Sequence, residues 1–228
     1  MEHPPIGLTA VSAGVRNSTM AAKLAVAAVL AIAVVCWVSA IHQMHAMSMG
    51  PGLGSLGFFI GMWATMMAAM MLPGAIPVVL YRTHTQGARV IPLFLAVYLA
   101  VWTVVGLVAY ALDRPHSALV GGVVTIAAGF YELTPLKRHF RRRCHETLGS
   151  GLGFGLDCVG STIGLMAMLV ALGVMSVTWM VVVAVVIVAQ KLLPAKASLD
   201  VPTSLAMIGL GVVIALAPSA VPGLMPAM

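Results

Sequence analysis

Charge is scarce in this chain. Only 8% of its 228 residues are Asp, Glu, Lys or Arg, whereas 61% are hydrophobic, and the mean hydropathy is +1.06. A soluble domain is about 45–50% apolar and about 25% charged. The composition therefore excludes an ordinary soluble globular protein and places nearly the whole chain in or beside a bilayer. No stretch is long and polar enough to form a separate soluble domain. The expected organisation is a polar N-terminal segment over 1–19, one transmembrane helical domain over 20–217 and an irregular tail over 218–228.

Cysteine is equally sparse. Cys36, Cys144 and Cys158 are the three, and they make no CxxC pair and no disulfide framework. Catalytic signatures are missing too. The chain contains no Walker loop, no GxSxG, no HExxH and no GxGxxG, so an enzyme finds little support. The formal charge of +6 and pI near 9.7 do not indicate nucleic acid. There is no basic domain and no set of stacking aromatics, and the basic residues fall mostly in short connections, where they set topology and meet anionic headgroups.

Apolar segments make up most of the rest. A spanning helix needs roughly 20 apolar residues. Candidates run from about Leu24 to Ile41, Leu56 to Leu80, Ile91 to Leu112, Ala118 to Leu136, Phe154 to Val174 and Thr178 to Leu193, with a shorter stretch from Ser204 to Ala217. The expected fold is all-α, a polytopic transmembrane bundle of about six or seven helices. Arg16 and Lys23 before the first run resemble the basic region of a signal peptide, but no small-x-small cleavage site follows, so it reads as an uncleaved first helix. Pro73 and Pro77 are expected to kink the second segment. The run from Lys137 to His145 reads as a basic loop, one that would favour the thiolate of Cys144.

Alternate connections differ in Lys and Arg. One side carries Arg16, Lys23, Arg82, Arg89, the cluster over 137–143, Lys191 and Lys196; the other carries Arg114. This puts the N-terminus in the cytoplasm and the loop holding His42 to Met49 outside. For a bacterium the location is the inner, cytoplasmic membrane.

Sulfur and imidazole are concentrated in one place. His42, Met44, His45, Met47 and Met49 precede Met62, Met66, Met67, Met70 and Met71 inside the second segment. Thioether is a soft ligand and imidazole a borderline one, a mixture that suits Cu(I). The outer His42, His45, Met47 and Met49 read either as a copper-collecting loop or as a juxtamembrane loop dipping into headgroups. Met62, Met66 and Met70 recur every four residues and, with Met67 and Met71, form a stripe about three turns long. Such a stripe reads either as core packing or as a ladder of weak ligands. Deeper in the chain, Asp157 and Cys158, with Cys144 and His145, form a candidate inner metal site. The other reading makes Asp157 a helix cap and Cys158 a small buried hydrophobe. Glu132 lies near membrane depth and has Lys137 or Arg138 as candidate partners.

Several blocks also carry a resemblance. They are Met62-Trp63 with Met66, Ala69-Met70-Met71 and Pro73; Gly129-Phe130-Tyr131-Glu132-Leu133-Thr134-Pro135-Leu136-Lys137 leading to Cys144; Gly155-Leu156-Asp157-Cys158-Val159-Gly160; and Gly173-Val174-Met175 with Trp179-Met180 and Lys191-Leu192-Leu193-Pro194. Over about Gly61 to Pro194 the chain resembles a bacterial family of metal-binding integral membrane proteins of unassigned function. The resemblance implies a multi-helix membrane protein holding a metal, with copper as the candidate. It also marks departures. The family commonly has cysteine where Phe140, Ser161 and Thr162 stand, and glutamate where Gln190 stands.

The sequence thus points to a membrane protein that binds or moves Cu(I). His42, His45, Met47 and Met49 would collect the ion, Met62, Met66 and Met70 would relay it, and Cys144, Asp157 and Cys158 would receive it. The competing reading is a non-catalytic accessory or assembly subunit of a membrane enzyme complex, with a membrane-protein partner or a second copy of itself.

Overall fold

The computed structural model describes residues 8–47, 55–112, 117–146, 150–172, 176–193 and 199–217. Nine α-helices and two single 3-10 turns account for nearly all of them, with no strand among the described residues. The helices are α1 (Leu8–Met47), α2 (Leu56–Met71), α3 (Ile76–Gln86), α4 (Ile91–Leu112), α5 (Ala118–Leu133), α6 (Pro135–Glu146), α7 (Gly151–Leu172), α8 (Val177–Leu192) and α9 (Asp200–Leu216). The all-α expectation holds. Helix α1 begins well before residue 20, while the expected tail over 218–228 lies outside the described residues.

Helix starts follow from hydroxyl caps. The side chains of Ser55, Ser117 and Ser150 accept from the backbone N–H groups of Phe58, Val120 and Gly153 at the first turns of α2, α5 and α7. Inside the helices, threonine hydroxyls bond back to carbonyls one turn earlier, as Thr125 does to Gly121 at 2.8 Å. These contacts hide polar atoms in helices that are otherwise apolar.

Proline breaks two segments that read as continuous. Pro73 ends α2, a 3-10 turn over Pro73–Ala75 follows, and α3 leaves at 49°. Thr134, which precedes Pro135, is extended at φ −67° and ψ 147°, because a residue before proline is pushed out of the helical region. Helix α6 leaves there at 66°. The basic run expected as a loop is therefore helical. Lys137, Arg141 and Cys144 recur at helical spacing and are all buried, while Arg138, Arg142 and Arg143 face outward.

Three helices are long and apolar enough to cross a membrane, Met20–Met44, Ala88–Ala111 and Gly151–Leu172, or five if each bent pair is one span. The surface matches that reading. Val34, Val35, Leu93, Val185, Leu205 and Leu216 are exposed, whereas Glu132, Lys137, Arg141, Asp157, Lys191 and Asp200 are buried. Charge inside and aliphatic side chains outside is the reverse of a soluble protein.

Small residues let helices approach. A β-carbon on Gly122 would fall 2.7 Å from the Gly211 carbonyl oxygen, so α5 and α9 touch backbone to backbone. Ser204 of α9 donates to the Gly129 carbonyl at 2.8 Å. Trp63 of α2 donates through Nε1 to the Trp102 carbonyl at 2.9 Å, over the space left by Gly106 of α4.

Candidate metal centre

The methionine stripe lies inside the protein. Met62, Met66, Met67, Met70 and Met71 are all fully or almost fully buried, and α2 carries them between α1, α4 and α8. Their thioethers share a core with Met44 of α1 and Met180 of α8. The upper end of the stripe lies beside Trp63 and α4. The lower end runs into the 3-10 turn, where Gly74 abuts the aliphatic stem of Lys191.

That lysine leads to the cysteines. Lys191 Nζ donates to Cys158 Sγ at 2.9 Å and to the Tyr98 hydroxyl at 3.2 Å, and Tyr98 lies 3.1 Å from the same sulfur. The Cys144 side chain is hydrogen-bonded to Cys158. Two thiols from α6 and α7, a phenol from α4 and an ammonium from α8 thus meet at one buried point. A cavity of about 50 Å³ adjoins them, its wall including Arg141, Cys144, Ser161, Thr162, Gln190 and Lys191. This is room for an ion or a few waters.

The expected inner residues are only partly united. Cys144 and Cys158 come together. Asp157 points toward α6, where its Oδ1 lies 3.6 Å from Arg143 Nε. The His145 side chain lies outside the described residues. Among the described residues no three His, Cys, Asp or Glu side chains form a cluster able to hold a metal; what converges is a pair of sulfurs. Three positions where the chain departs from the resembled family pattern, Ser161, Thr162 and Gln190, line the same cavity. The fourth, Phe140, lays its ring over Gly160.

The outer residues are less fully described. His42 is exposed near the end of α1 and Met44 is buried. His45 and Met47 belong to α1, but their side chains, and all of Met49, lie outside the described residues.

An ionic network adjoins the cavity. Glu132 pairs with Lys137, as one sequence reading allowed. Lys137 also bonds Asp200 Oδ1 and Gln190 Oε1, each at 3.2 Å, and Arg141 Nη1 bonds Asp200 Oδ1 at 3.0 Å. Gln190 Nε2 donates to Glu132 at 3.2 Å. Removing charges from water is costly, and mutual pairing offsets that cost. The network fastens α5, α6, α8 and α9 around the cysteine pair.

Sequence reading missed Lys191, Tyr98, Gln190 and Asp200 as members of this neighbourhood. In the sequence Lys191 reads as a topology marker and as part of a resemblance block, with no chemical role. Its place one residue from the end of an apolar helix, with no acid nearby in sequence, was the available signal. For Tyr98, inside a uniformly apolar segment, no such signal exists.

The model of a family described as a copper chaperone, PpoB2, matches residues 60–214. The matched span contains the methionine stripe, both buried cysteines and Lys191, and begins after His42, His45, Met47 and Met49. No curated protein and no solved structure matches the chain.

Proposed function

The chain belongs to this copper-chaperone family, and from that premise we propose that it is a multi-pass protein of the bacterial cytoplasmic membrane that binds Cu(I) as cargo between Cys144 and Cys158. The observation that carries the reading is the meeting of those two thiols at the inner end of a buried methionine stripe. Thiolate and thioether are soft donors that favour Cu(I) over harder ions. Cu(I) is content with few sulfur donors, so a pair is sufficient where zinc would call for four ligands.

The location and orientation rest on composition and charge. The exposed cations Lys23, Arg89, Arg138, Arg142 and Arg143 all belong to the side that the N-terminus occupies when the apolar segments alternate across the bilayer. That side is cytoplasmic by the positive-inside rule. His42 and the outer residues His45, Met47 and Met49 then face outward and collect the ion. Met62, Met66 and Met70 pass it along α2 toward Gly74 and the cysteines, each thioether binding weakly enough to release it. Asp157 holds Arg143 beside the thiol pair and is a secondary contributor.

A chaperone hands its metal to an acceptor. The acceptor here would be a membrane protein or a second copy of the chain; the competing reading makes the chain a non-catalytic accessory or assembly subunit whose methionines only pack. Nothing in the arrangement calls for a catalytic step.

The test is Cu(I) binding by the full chain in lipid nanodiscs, measured by competition with a chromophoric Cu(I) chelator. Equimolar copper is expected on the unaltered protein and its loss from both Cys144→Ser and Cys158→Ser. Copper retained by the double variant would overturn the cysteine site. Recovery of a stoichiometric protein partner with metal-free chain would favour a purely structural accessory role.

A further inference from the structure

Among the described residues Arg82, Lys137, Arg141 and Lys191 are buried cations, and Lys191 is the one bonded to a cysteine sulfur. Lys137 pairs with Glu132 and Asp200, and Arg141 pairs with Asp200. Arg82 lies over the Phe94 ring, 4.7 Å from its centroid. Lys191 has no carboxylate within ion-pair distance among the described residues. Its ammonium instead meets Cys158 Sγ at 2.9 Å and the Tyr98 hydroxyl at 3.2 Å. The rings of Tyr98 and Phe154 lie 5.7 and 5.6 Å away, close enough to share the positive field. Its stem is held in place, because a β-carbon on Gly74 would fall 2.4 Å from its Cδ. This is a buried positive charge packed directly against a sulfur ligand.

Resting on the copper reading above, we infer that Lys191 is a specificity-determining residue that makes the Cys144–Cys158 pair a site for monovalent soft ions, Cu(I) or Ag(I), and sets it against divalent thiophilic ions such as Zn(II) and Cd(II). The argument is charge balance in a medium of low dielectric. Metal-bound cysteines are thiolates. Two thiolates, one monovalent ion and one ammonium sum to zero. Two thiolates, one divalent ion and the same ammonium leave a net positive charge buried among Tyr98, Phe154 and the methionines. An uncompensated buried charge is expensive. Neighbouring acids give no relief, since Glu132 and Asp200 are engaged by Lys137 and Arg141, and Asp157 faces Arg143. Softness alone does not separate Ag(I) from Cd(II), as both are thiophilic. The lysine adds discrimination by charge.

The experiment uses the full chain in nanodiscs, with Ag(I) and Cd(II) as probes and competition titration as readout. Lys191→Gln removes the charge and Lys191→Arg keeps it. The Ag(I)-over-Cd(II) preference is expected to fall at least about tenfold in Lys191→Gln and to stay near the unaltered value in Lys191→Arg. Ser161→Asp supplies an independent arm. It places a carboxylate on the cavity wall while keeping the lysine, and is expected to shift the preference toward Cd(II) in the same direction. It carries the test if Lys191→Gln fails to fold. Binding that needs the cysteines but shows an unchanged preference in these variants would overturn the inference and leave the copper site standing. Ag(I) binding that survives loss of both cysteines would overturn the two together.

Discussion

Gly74 and Lys191 meet so closely that the glycine's missing side chain is part of the lysine's position. A β-carbon at Gly74 would lie 2.4 Å from Lys191 Cδ and 3.4 Å from both Cε and Nζ. The clash falls mid-stem rather than at a free end, so the lysine stem has to shift and is expected to disturb the contact of the ammonium with Cys158. Gly74→Ala is expected to cost about 1–3 kcal/mol by overpacking and to weaken retention of copper by the cysteine pair. Thermal unfolding in detergent and chelator competition measure the two effects. An alanine variant with unaltered copper affinity would show that the lysine's placement is irrelevant to the metal.

The methionines need a test that separates sulfur from volume. Leucine has nearly the same size and no thioether. Met62→Leu, Met66→Leu and Met70→Leu nearly conserve volume in the core and should each cost under about 1.5 kcal/mol. In proteoliposomes the triple variant is expected to load copper from the outer side more slowly, while the cysteine site keeps its stoichiometry. Unchanged loading would make the stripe packing alone.

The outer residues can be tested in the same vesicles. Replacing His42, His45, Met47 and Met49 together by alanine removes four donors. Loading at scarce external copper should drop, and loading at abundant copper should recover. Equal loading at both concentrations would remove this loop from the route.

The ionic network predicts stability rather than metal binding. Lys137 is the only described cation bonded to Glu132, and Glu132 is fully buried. Lys137→Met strands that carboxylate, and breaking a buried pair from one side costs about 3–5 kcal/mol. Adding Glu132→Gln should restore part of the loss, because both charges are then gone. Tryptophan fluorescence during thermal unfolding follows this. A single variant as stable as the unaltered protein would show that the pair is not structural.

Much of the fold was legible from local pattern. The segment from Ile91 to Leu112 emerges as α4 with those same ends, because an uninterrupted apolar run has no other way to satisfy its backbone in lipid. The kink at Pro73 was readable for the steric reason that applies to any proline. The same steric reason ends α5 before Pro135, where Thr134 is extended, although the apolar pattern itself continues to Leu136. The basic run misled for a different reason. Its charge density suggests a solvated loop; besides the nearby Glu132, it takes Asp200 and Gln190, contributed from far along the chain, to turn Lys137 and Arg141 inward.

Composition, ligand softness and proline positions are carried residue by residue, and they were enough for an all-helical, strongly apolar protein with soft donors in a defined order. Which donors meet is another matter. Cys144 and Cys158 lie on separate helices, and their meeting depends on the bend at Pro135 and on the close approach of Gly160 to Phe140. Lys191 joins them because Gly74, on yet another helix pair, leaves room for its stem. Contacts between distant segments are set by backbone approach and packing, which no local pattern encodes. The soft ligands could therefore be named from the chain, while the pair that converges and the cation beside it emerged only once the helices were assembled.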